Sequence, residues 1–235
     1  YQMVKKVKHL KELRVADYII EFIKDLGVNY IFLVPGGGAM FLNDALAKCN
    51  GMNFIANHNE QASSISAEAF SRINEKIGVA MVTTGPGSTN SLTGVVGAWI
   101  ESVPLLVVSG QVKRNDLKLN SGLRQKGPQE VDIISMVKSV TKYAKTLKNS
   151  NEIRFELEKA IHLATNSRKG PVWLDIPLDI QAAMINPSNL KSFSPKIKKE
   201  RITKNKYEKI LKFLYSAERP LLLIGHGVRL SGAEK

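Results

Sequence analysis

The chain has 235 residues, of which 43% are hydrophobic, enough for one substantial core and part of a second. Lys and Arg number 34 against 21 Asp and Glu, so the formal net charge is +13 at pH 7. Much of this excess lies in residues 190–212, which show no interleaved aromatic pattern and no nucleic-acid-binding motif, so we do not expect nucleic acid as a partner. Cys49 is the only cysteine, which excludes an internal disulfide and a cysteine-cluster metal site.

The sequence contains no apolar stretch long enough to span a membrane and no signal-peptide pattern at its start. A lone cysteine also indicates a reducing compartment. We therefore expect a cytoplasmic protein that makes no use of a membrane.

Helical and strand patterns alternate along the first three quarters of the chain. "RVADYIIEFIKDLG" has apolar residues at helical spacing and a stop at Gly27. Later helices are predicted in "AMFLNDALAKC", from Glu60 to about Asn74, in "SLTGVVGAWIES" after a turn at "GPGSTN", near 131–138 and over 151–167. The predicted strands are "YIFLV", "NFIAN", "VAMVTT", "PLLVVSG", "TKYAKTL" and "PVWLDIP".

These strands are apolar throughout, whereas strands with one wet face alternate. They predict a doubly wound α/β fold in which a mainly parallel sheet of about six strands has helices on both faces. The polar stretch 111–130 has no clear period and is interpreted as a long functional loop.

The composition changes past Leu178. We predict an N-terminal domain over residues 1–182, a basic linker over 183–205 and the beginning of a second α/β domain over 206–235. That last part has a helical pattern around 207–215, a predicted strand "PLLLIG" and one more helical fragment. One strand and two helical fragments cannot bury a core alone, so we expect the chain to be truncated.

Three features stand at the ends of predicted strands: "PGGG" at 35–38, "GPGSTN" at 85–90 and the carboxylate of Glu60. Because the carboxyl ends of parallel strands meet at one rim, these features are expected to lie together where such folds bind ligands. Glycines let a ligand approach the backbone, although a ligand-free turn explains either stretch equally well. Glu60 either caps its helix or faces a ligand. We interpret His58 and His162 as structural.

Taken together, "VPGGG", "NEQASSISAEAFSR", "VTTGPGSTN", "AWIESVPLLVVSGQV" and "GPVWLDIP" resemble the N-terminal, pyrimidine-binding domain of thiamine diphosphate-dependent enzymes. Their order and spacing are most similar to the acetolactate (acetohydroxyacid) synthase branch, transferases that act on 2-keto acids in branched-chain amino acid biosynthesis. The resemblance runs from about Arg14 to Ile180. "RPLLLIGHGVRLSGA" resembles the opening of that family's central domain.

The resemblance implies that Glu60 hydrogen-bonds the aminopyrimidine ring of the cofactor and promotes its imino tautomer. It also implies that Gly37 lies near the reacting centre and that Gln129 reaches towards the reaction intermediate. Thr83, Pro86 and Asn90 would line the pyrimidine pocket. The implied reaction decarboxylates a 2-keto acid such as pyruvate and transfers the two-carbon unit to a carbonyl acceptor.

The resemblance further implies that thiamine diphosphate is held with Mg²⁺ by a C-terminal domain carrying a Gly-Asp-Gly…Asn motif, which this chain lacks. No metal ligand is expected here. A homodimer or tetramer is implied, with the active site formed against the C-terminal domain of the partner subunit, so the chain alone should be inactive. Many acetolactate synthases bind FAD, and the resemblance leaves FAD open here.

Two departures from the family pattern keep other functions open. Pro128 stands where the synthases usually have Phe, in a longer loop, and Asn59 separates His58 from Glu60. A keto-sugar of polysaccharide biosynthesis is therefore an alternative acceptor, and a decarboxylase that releases an aldehyde is an alternative activity. The alternative of another class is a non-catalytic, dimerising or nucleotide-binding α/β module.

Overall fold

The structure, a computed structural model, describes residues 12–195 and 203–233. The described residues divide into two units, one ending at Phe193 and the other beginning at Ser194. In chain order the first unit contains β1 (Leu13–Arg14), α1 (Val15–Asp25), β2 (Tyr30–Leu33), α2 (Met40–Lys48), β3 (Asn53–Ala56), α3 (Glu60–Asn74), β4 (Gly78–Val82), α4 (Pro86–Asn90), α5 (Leu92–Ile100), β5 (Leu105–Gln111), α6 (Ile133–Val137), β6 (Tyr143–Thr146), α7 (Ile153–Thr165), β7 (Pro171–Pro177), α8 (Leu178–Ala182) and β8 (Met184–Ile185).

Six of these strands form one sheet in the order β3-β2-β4-β5-β7-β6, and every neighbouring pair is parallel. The central strands β4, β5 and β7 are buried along their whole length. Parallel strands covered on both faces must be apolar on both, which is why these segments lack alternation. The predicted doubly wound α/β fold and its six strands are confirmed.

Each face of the sheet has its own hydrophobic cluster. Leu106 and Val108 of β5 pack in one cluster with buried residues of α1, α2 and α7. Their neighbours Leu105 and Val107 pack in the other with residues of α3, α5 and α6. Successive strand residues point to opposite faces, so the two clusters lie on opposite sides of the sheet.

The strand order reverses beside β2. From β2 the chain moves outward to β3, then returns to place β4 on the other side of β2. In open α/β sheets, ligands bind outside the carboxyl ends of the strands at such a reversal. The segments that follow β2, β3 and β4 therefore surround the expected ligand crevice.

Two details of the first unit differ from the sequence analysis. β1 and β8 form a separate antiparallel pair, with Leu13 opposite Ile185, which was not predicted. The stretch "GPGSTN" is not a turn before one long helix, because helix α4 already begins at Pro86 and is separated from α5 at Ser91. Proline favours the first helical position, since its fixed φ suits the helix and its missing N–H is not needed there.

The second unit contains α9 (Lys204–Ser216) and α10 (Gly227–Ser231). Helix α9 confirms the helix predicted around 207–215. The strand predicted in "PLLLIG" is wrong: residues 220–225 belong to no strand, and Leu223 is 97% exposed. A strand needs a partner, and the described part of this unit offers none. Of the predicted linker at 183–205, residues 196–202 lie outside the described residues.

Within residues 12–195 and 203–233, no helix combines the length and the apolar character needed to cross a membrane.

Candidate functional site

Thr83, just beyond β4, holds the glycine segment that follows β2. Its Oγ1 accepts a hydrogen bond from the Gly38 N–H at 3.0 Å. A Cβ on Gly36 would lie 2.5 Å from the Thr83 Cβ, so this approach is open only to glycine. A Cβ on Gly37 would instead meet no atom within 4 Å. Gly37 therefore turns its free side towards open space at the rim.

Glu60 is the first residue of α3, but it does not cap that helix. The N-cap is Asn59, whose Oδ1 accepts from the Gln61 N–H at 2.7 Å. Asn59 therefore caps α3, and Glu60 is not needed for that role. The Glu60 side chain is half-buried, and its Oε2 accepts a hydrogen bond of 2.8 Å from Nδ2 of Asn90.

Gly87 in α4 lies close to both Thr83 and Glu60. A Cβ on Gly87 would lie 2.5 Å from Cγ2 of Thr83 and 3.2 Å from Oε1 of Glu60. Ser88, on the same short helix, donates from its Oγ to the Thr83 carbonyl at 2.6 Å. The structure therefore brings the glycine segment, Thr83, α4 and Glu60 together, as the rim argument predicts.

Oε1 of Glu60 accepts no hydrogen bond from the described residues, although Oε2 is held by Asn90. A carboxylate with one oxygen fixed and the other open is oriented but still able to bind a donor. This is the arrangement that a hydrogen bond to a ligand requires.

Gln129 reaches the same region through its backbone. Gly85 has a φ of +63°, and a Cβ there would lie 2.1 Å from the Gln129 carbonyl oxygen. Gln129 itself has a φ of +58°, and its side chain is exposed, as are Pro86 and Pro128. The loop after β5 thus packs its backbone against the start of "GPGSTN" and leaves the glutamine side chain towards solvent.

Glu130 stabilises that loop, and its role was not predicted from the sequence. Its carboxylate accepts hydrogen bonds from three backbone N–H groups, those of Lys118, Lys126 and Gly127. Burial acts to raise the pKa of Glu130, but the three amide donors outweigh it and hold that pKa below its usual value. An ionised Glu130 therefore holds Lys118 close to Lys126 and Gly127 within the loop.

Asp175 in β7 is a second residue that the sequence analysis missed. It is 1% exposed and accepts from Oγ of Ser109, Nε2 of Gln111 and Oγ1 of Thr146 at 2.7, 3.1 and 3.0 Å. Burial raises the pKa of Asp175 to about 6, although these donors oppose the rise. Its only signal in the sequence is a single carboxylate inside the apolar strand "PVWLDIP".

This network extends to the rim. Oε1 of Gln111 accepts a hydrogen bond of 2.8 Å from Oγ1 of Thr84, the residue next to Thr83. Among the described residues, no group of three or more His, Cys, Asp or Glu side chains is arranged to hold a metal ion.

Residues 13–136 match the family described as "Thiamine pyrophosphate enzyme, N-terminal TPP binding domain". The acetolactate synthase large subunit of Haemophilus influenzae is 32% identical over 229 residues, which are 93% of this chain and 38% of that protein. The large subunit from Lactococcus lactis is 32% identical, over 98% of this chain and 39% of its own length. Acetolactate synthase isozyme 3 large subunit of Escherichia coli is 30% identical, over 94% and 38%.

The chain thus spans about two fifths of the length of the curated relatives that it matches. The family match covers more than half of the chain and includes the segments after β2, β3 and β4 that form the rim. This chain therefore belongs to the thiamine pyrophosphate enzyme family, of which it carries the N-terminal domain.

Proposed function

We propose that this chain is the pyrimidine-binding part of a thiamine diphosphate-dependent carboligase. The whole enzyme would decarboxylate a 2-keto acid such as pyruvate and transfer the two-carbon unit to a carbonyl acceptor. The observation that carries the proposal is the Glu60 carboxylate, with Oε2 fixed by Asn90 and Oε1 open at a rim of glycine backbone. Relatives named acetolactate synthase support the same class of reaction.

The residues present fit the pyrimidine end of the cofactor. Glu60 supplies an oriented carboxyl oxygen for a ring nitrogen, and Asn90 holds that carboxyl from the other side. Gly37 offers bare backbone beside open space, and Thr83 and Pro86 would complete the lining of the pyrimidine pocket. When bound, thiamine diphosphate supplies the electron sink for decarboxylation, and the protein supplies position and electrostatics.

The role of Glu60 is to share a proton with the pyrimidine ring nitrogen. A carboxyl group can do this because it both gives and accepts a proton, whereas an amide carries no exchangeable acid proton. Aspartate is one methylene shorter and would not reach the same position. The hydrogen bond from Asn90 would keep the carboxyl plane turned towards the ring.

The proposal assigns the diphosphate and Mg²⁺ to a C-terminal domain, since the chain spans only 38% and 39% of two of its relatives. Alone, the chain should release no carbon dioxide from pyruvate, even with cofactor and Mg²⁺ added. Robust release by the chain alone would contradict this division of labour. We propose a cytoplasmic location, because Cys49 is the only cysteine in the sequence and cannot form an internal disulfide.

Homodimer or tetramer formation is the proposed partnership. Large apolar side chains are exposed on the edge strand β3 and on the adjacent helices α3 and α5: Phe54, Ile55, Ile65, Ile73, Val96, Trp99 and Ile100. Phe54 is 53% exposed and Ile73 is 76% exposed. Several large apolar side chains exposed on neighbouring elements are typical of interaction sites. Sedimentation of the full-length protein should show a species of at least two copies, and a purely monomeric protein would contradict the assembly.

A decarboxylase, or a carboligase that uses a keto-sugar as acceptor, is the second candidate. It rests on the loop between β5 and α6, where Pro128 lies exposed beside Gln129 and the loop backbone packs on Gly85. The test gives the full-length enzyme pyruvate alone and then pyruvate with a keto-sugar nucleotide. Acetolactate or acetoin would support the synthase, a new sugar product would support the second candidate, and free acetaldehyde would indicate a decarboxylase. Absence of all of these products would favour the non-catalytic module.

A further inference from the structure

Gln181 is a buried amide whose two N–H groups are both used. It lies in α8, directly after β7, and is 0% exposed. Its Nε2 donates to the carbonyl of Gly38 at 2.7 Å and to the carbonyl of Ile176 at 2.8 Å. The orientation of the amide is determined by these partners, because the reversed amide would place its oxygen against two carbonyl oxygens.

The side-chain oxygen of Gln181 is buried at an energetic cost, so a glutamine at this position must contribute something that offsets that cost. Oε1 of Gln181 is buried and has no hydrogen-bond partner among the described residues. A buried acceptor without a partner destabilises a fold, and an apolar side chain of the same size would avoid that cost. What position 181 gains from glutamine is therefore the pair of donated hydrogen bonds, one of which reaches the rim.

Gly38 is held at both of its polar backbone groups. Its N–H donates to Oγ1 of Thr83 at 3.0 Å, and its carbonyl accepts from Gln181. The carbonyl also packs on Gly110 of β5, where a Cβ would lie only 2.0 Å from the Gly38 oxygen. Thr83 just beyond β4, Gly110 of β5 and Gln181 of α8 thus converge on Gly38.

Gly37 makes few contacts of its own, so its position depends on the contacts that hold Gly38. It is exposed, and a side chain there would touch no atom within 4 Å. The short 3₁₀ turn Gly37–Ala39 closes with the Ala39 N–H donating to the Gly36 carbonyl at 3.0 Å. Within the described residues, the side chains that hold Gly38 are Thr83 and Gln181, and Asn43 adds a longer hydrogen bond of 3.4 Å from its Nδ2 to the Gly36 carbonyl.

We propose that Gln181 is a positioning residue that sets the place of the Gly37–Ala39 turn at the ligand rim. It does not touch the ligand and acts through the Gly38 carbonyl. This inference rests on the proposed function only where it concerns turnover. The hold on the turn itself is independent of any reaction.

The test uses the full-length protein with Gln181→Met, which keeps the length of the side chain and removes both donors. Asp179→Asn on the same helix is the matched control, because Asp179 pairs with Arg114 and not with the glycine turn. Amide hydrogen exchange without cofactor is followed in peptides covering residues 34–41 and, for comparison, in peptides from β5 and β7.

We expect exchange in 34–41 to become about tenfold faster in Gln181→Met, with β5 and β7 unchanged and the control like wild type. Turnover should fall about 10- to 100-fold with a KM for the keto acid within about threefold of wild type, since misplacement of a positioned group acts on kcat. Unchanged exchange in 34–41 would overturn the inference. If Gln181→Met unfolds, Gln181→Asn, which keeps the amide but shortens it, is judged by the same exchange criterion.

The outcomes separate this inference from the proposed function. Faster exchange in 34–41 with a wild-type protein that performs no keto-acid chemistry would support the hold on the turn and refute the carboligase. A wild-type carboligase whose Gln181→Met variant keeps both normal exchange and normal kcat would refute the inference alone.

Discussion

Asn90 Nδ2 lies 2.8 Å from Oε2 of Glu60, so the last residue of α4 holds the first residue of α3 across the strand reversal. These residues are 30 positions apart in the chain. Because Asn59 already caps α3, the Glu60 carboxylate is left for this contact and for whatever binds its second oxygen. The first two predictions concern this pair.

Glu60→Gln in the full-length enzyme should lower turnover by about 10²- to 10⁴-fold, the usual contribution of a positioned acid or base. The fold should persist, since an amide of the same shape can still accept from Asn90. Glu68→Gln, on the same helix and paired with Arg72, is the control and should keep nearly full turnover. Proton exchange at the thiazolium C2, followed by NMR, measures the role directly. Wild-type exchange in Glu60→Gln would refute it.

Asn90→Ala should have a smaller effect, because the carboxyl group stays and only its orientation is lost. A drop of about tenfold in kcat corresponds to one charge-assisted hydrogen bond of roughly 1.4 kcal/mol. Combining Asn90→Ala with Glu60→Gln should cost little more than Glu60→Gln alone, since both changes act through one contact. Fully additive losses in this double-mutant cycle would show that Asn90 acts elsewhere.

The third prediction separates two glycines on α5. A Cβ on Gly94 would lie 2.3 Å from Oγ of Ser64 and 2.7 Å from the backbone nitrogen of Ile65, both in α3. Gly94→Ala should therefore lower the free energy of unfolding by about 1–3 kcal/mol through overpacking. A Cβ on Gly97 would meet no atom within 4 Å. Gly97→Ala should therefore raise that free energy by about 0.5–1 kcal/mol, because alanine favours the helical conformation more than glycine does. Urea unfolding that moves both variants in the same direction would contradict the packing of α3 on α5.

The sheet was predictable because buried parallel strands appear as apolar runs between glycine, proline and helical patterns. The same pattern misled at "PLLLIG", where an apolar run has no neighbouring strand in the described residues. The β1–β8 pair could not be predicted, because strands of two residues show no period. Predicting "GPGSTN" as a turn underestimated proline at the first position of a helix.

The rim was predictable in outline, because topology alone places the ends of β2, β3 and β4 together. Thr83 and Asn90 were named from the family resemblance, but other residues that hold the rim were not predictable. Gln181 and Gly38 are separated by 143 positions, and nothing local to either residue indicates the contact. Asp175 and Glu130 were missed for a similar reason, since a carboxylate's partners are backbone amides and hydroxyls whose identity depends on the fold.

The last prediction follows from the raised pKa of Asp175, which burial moves from 3.8 to about 6. Between these two values the folded protein binds a proton that the unfolded chain does not. Stability from the protonated Asp175 is therefore fully present below about pH 4 and is lost as the pH rises through about 6. A shift of this size corresponds to a loss on the order of 3 kcal/mol.

Asp175→Asn should remove this decline, because an amide does not titrate. The free energy of unfolding from urea titrations would be measured between about pH 4 and 7 for wild type and variant. We expect the wild-type curve to fall relative to the variant curve, even if the variant is less stable at every pH. Ser109→Ala removes a donor to the carboxylate and should move the upper end of the decline to higher pH. Parallel curves for wild type and Asp175→Asn would show that this carboxyl group has the same pKa in the folded and unfolded states, and that the Ser109, Gln111 and Thr146 donors fully offset its burial.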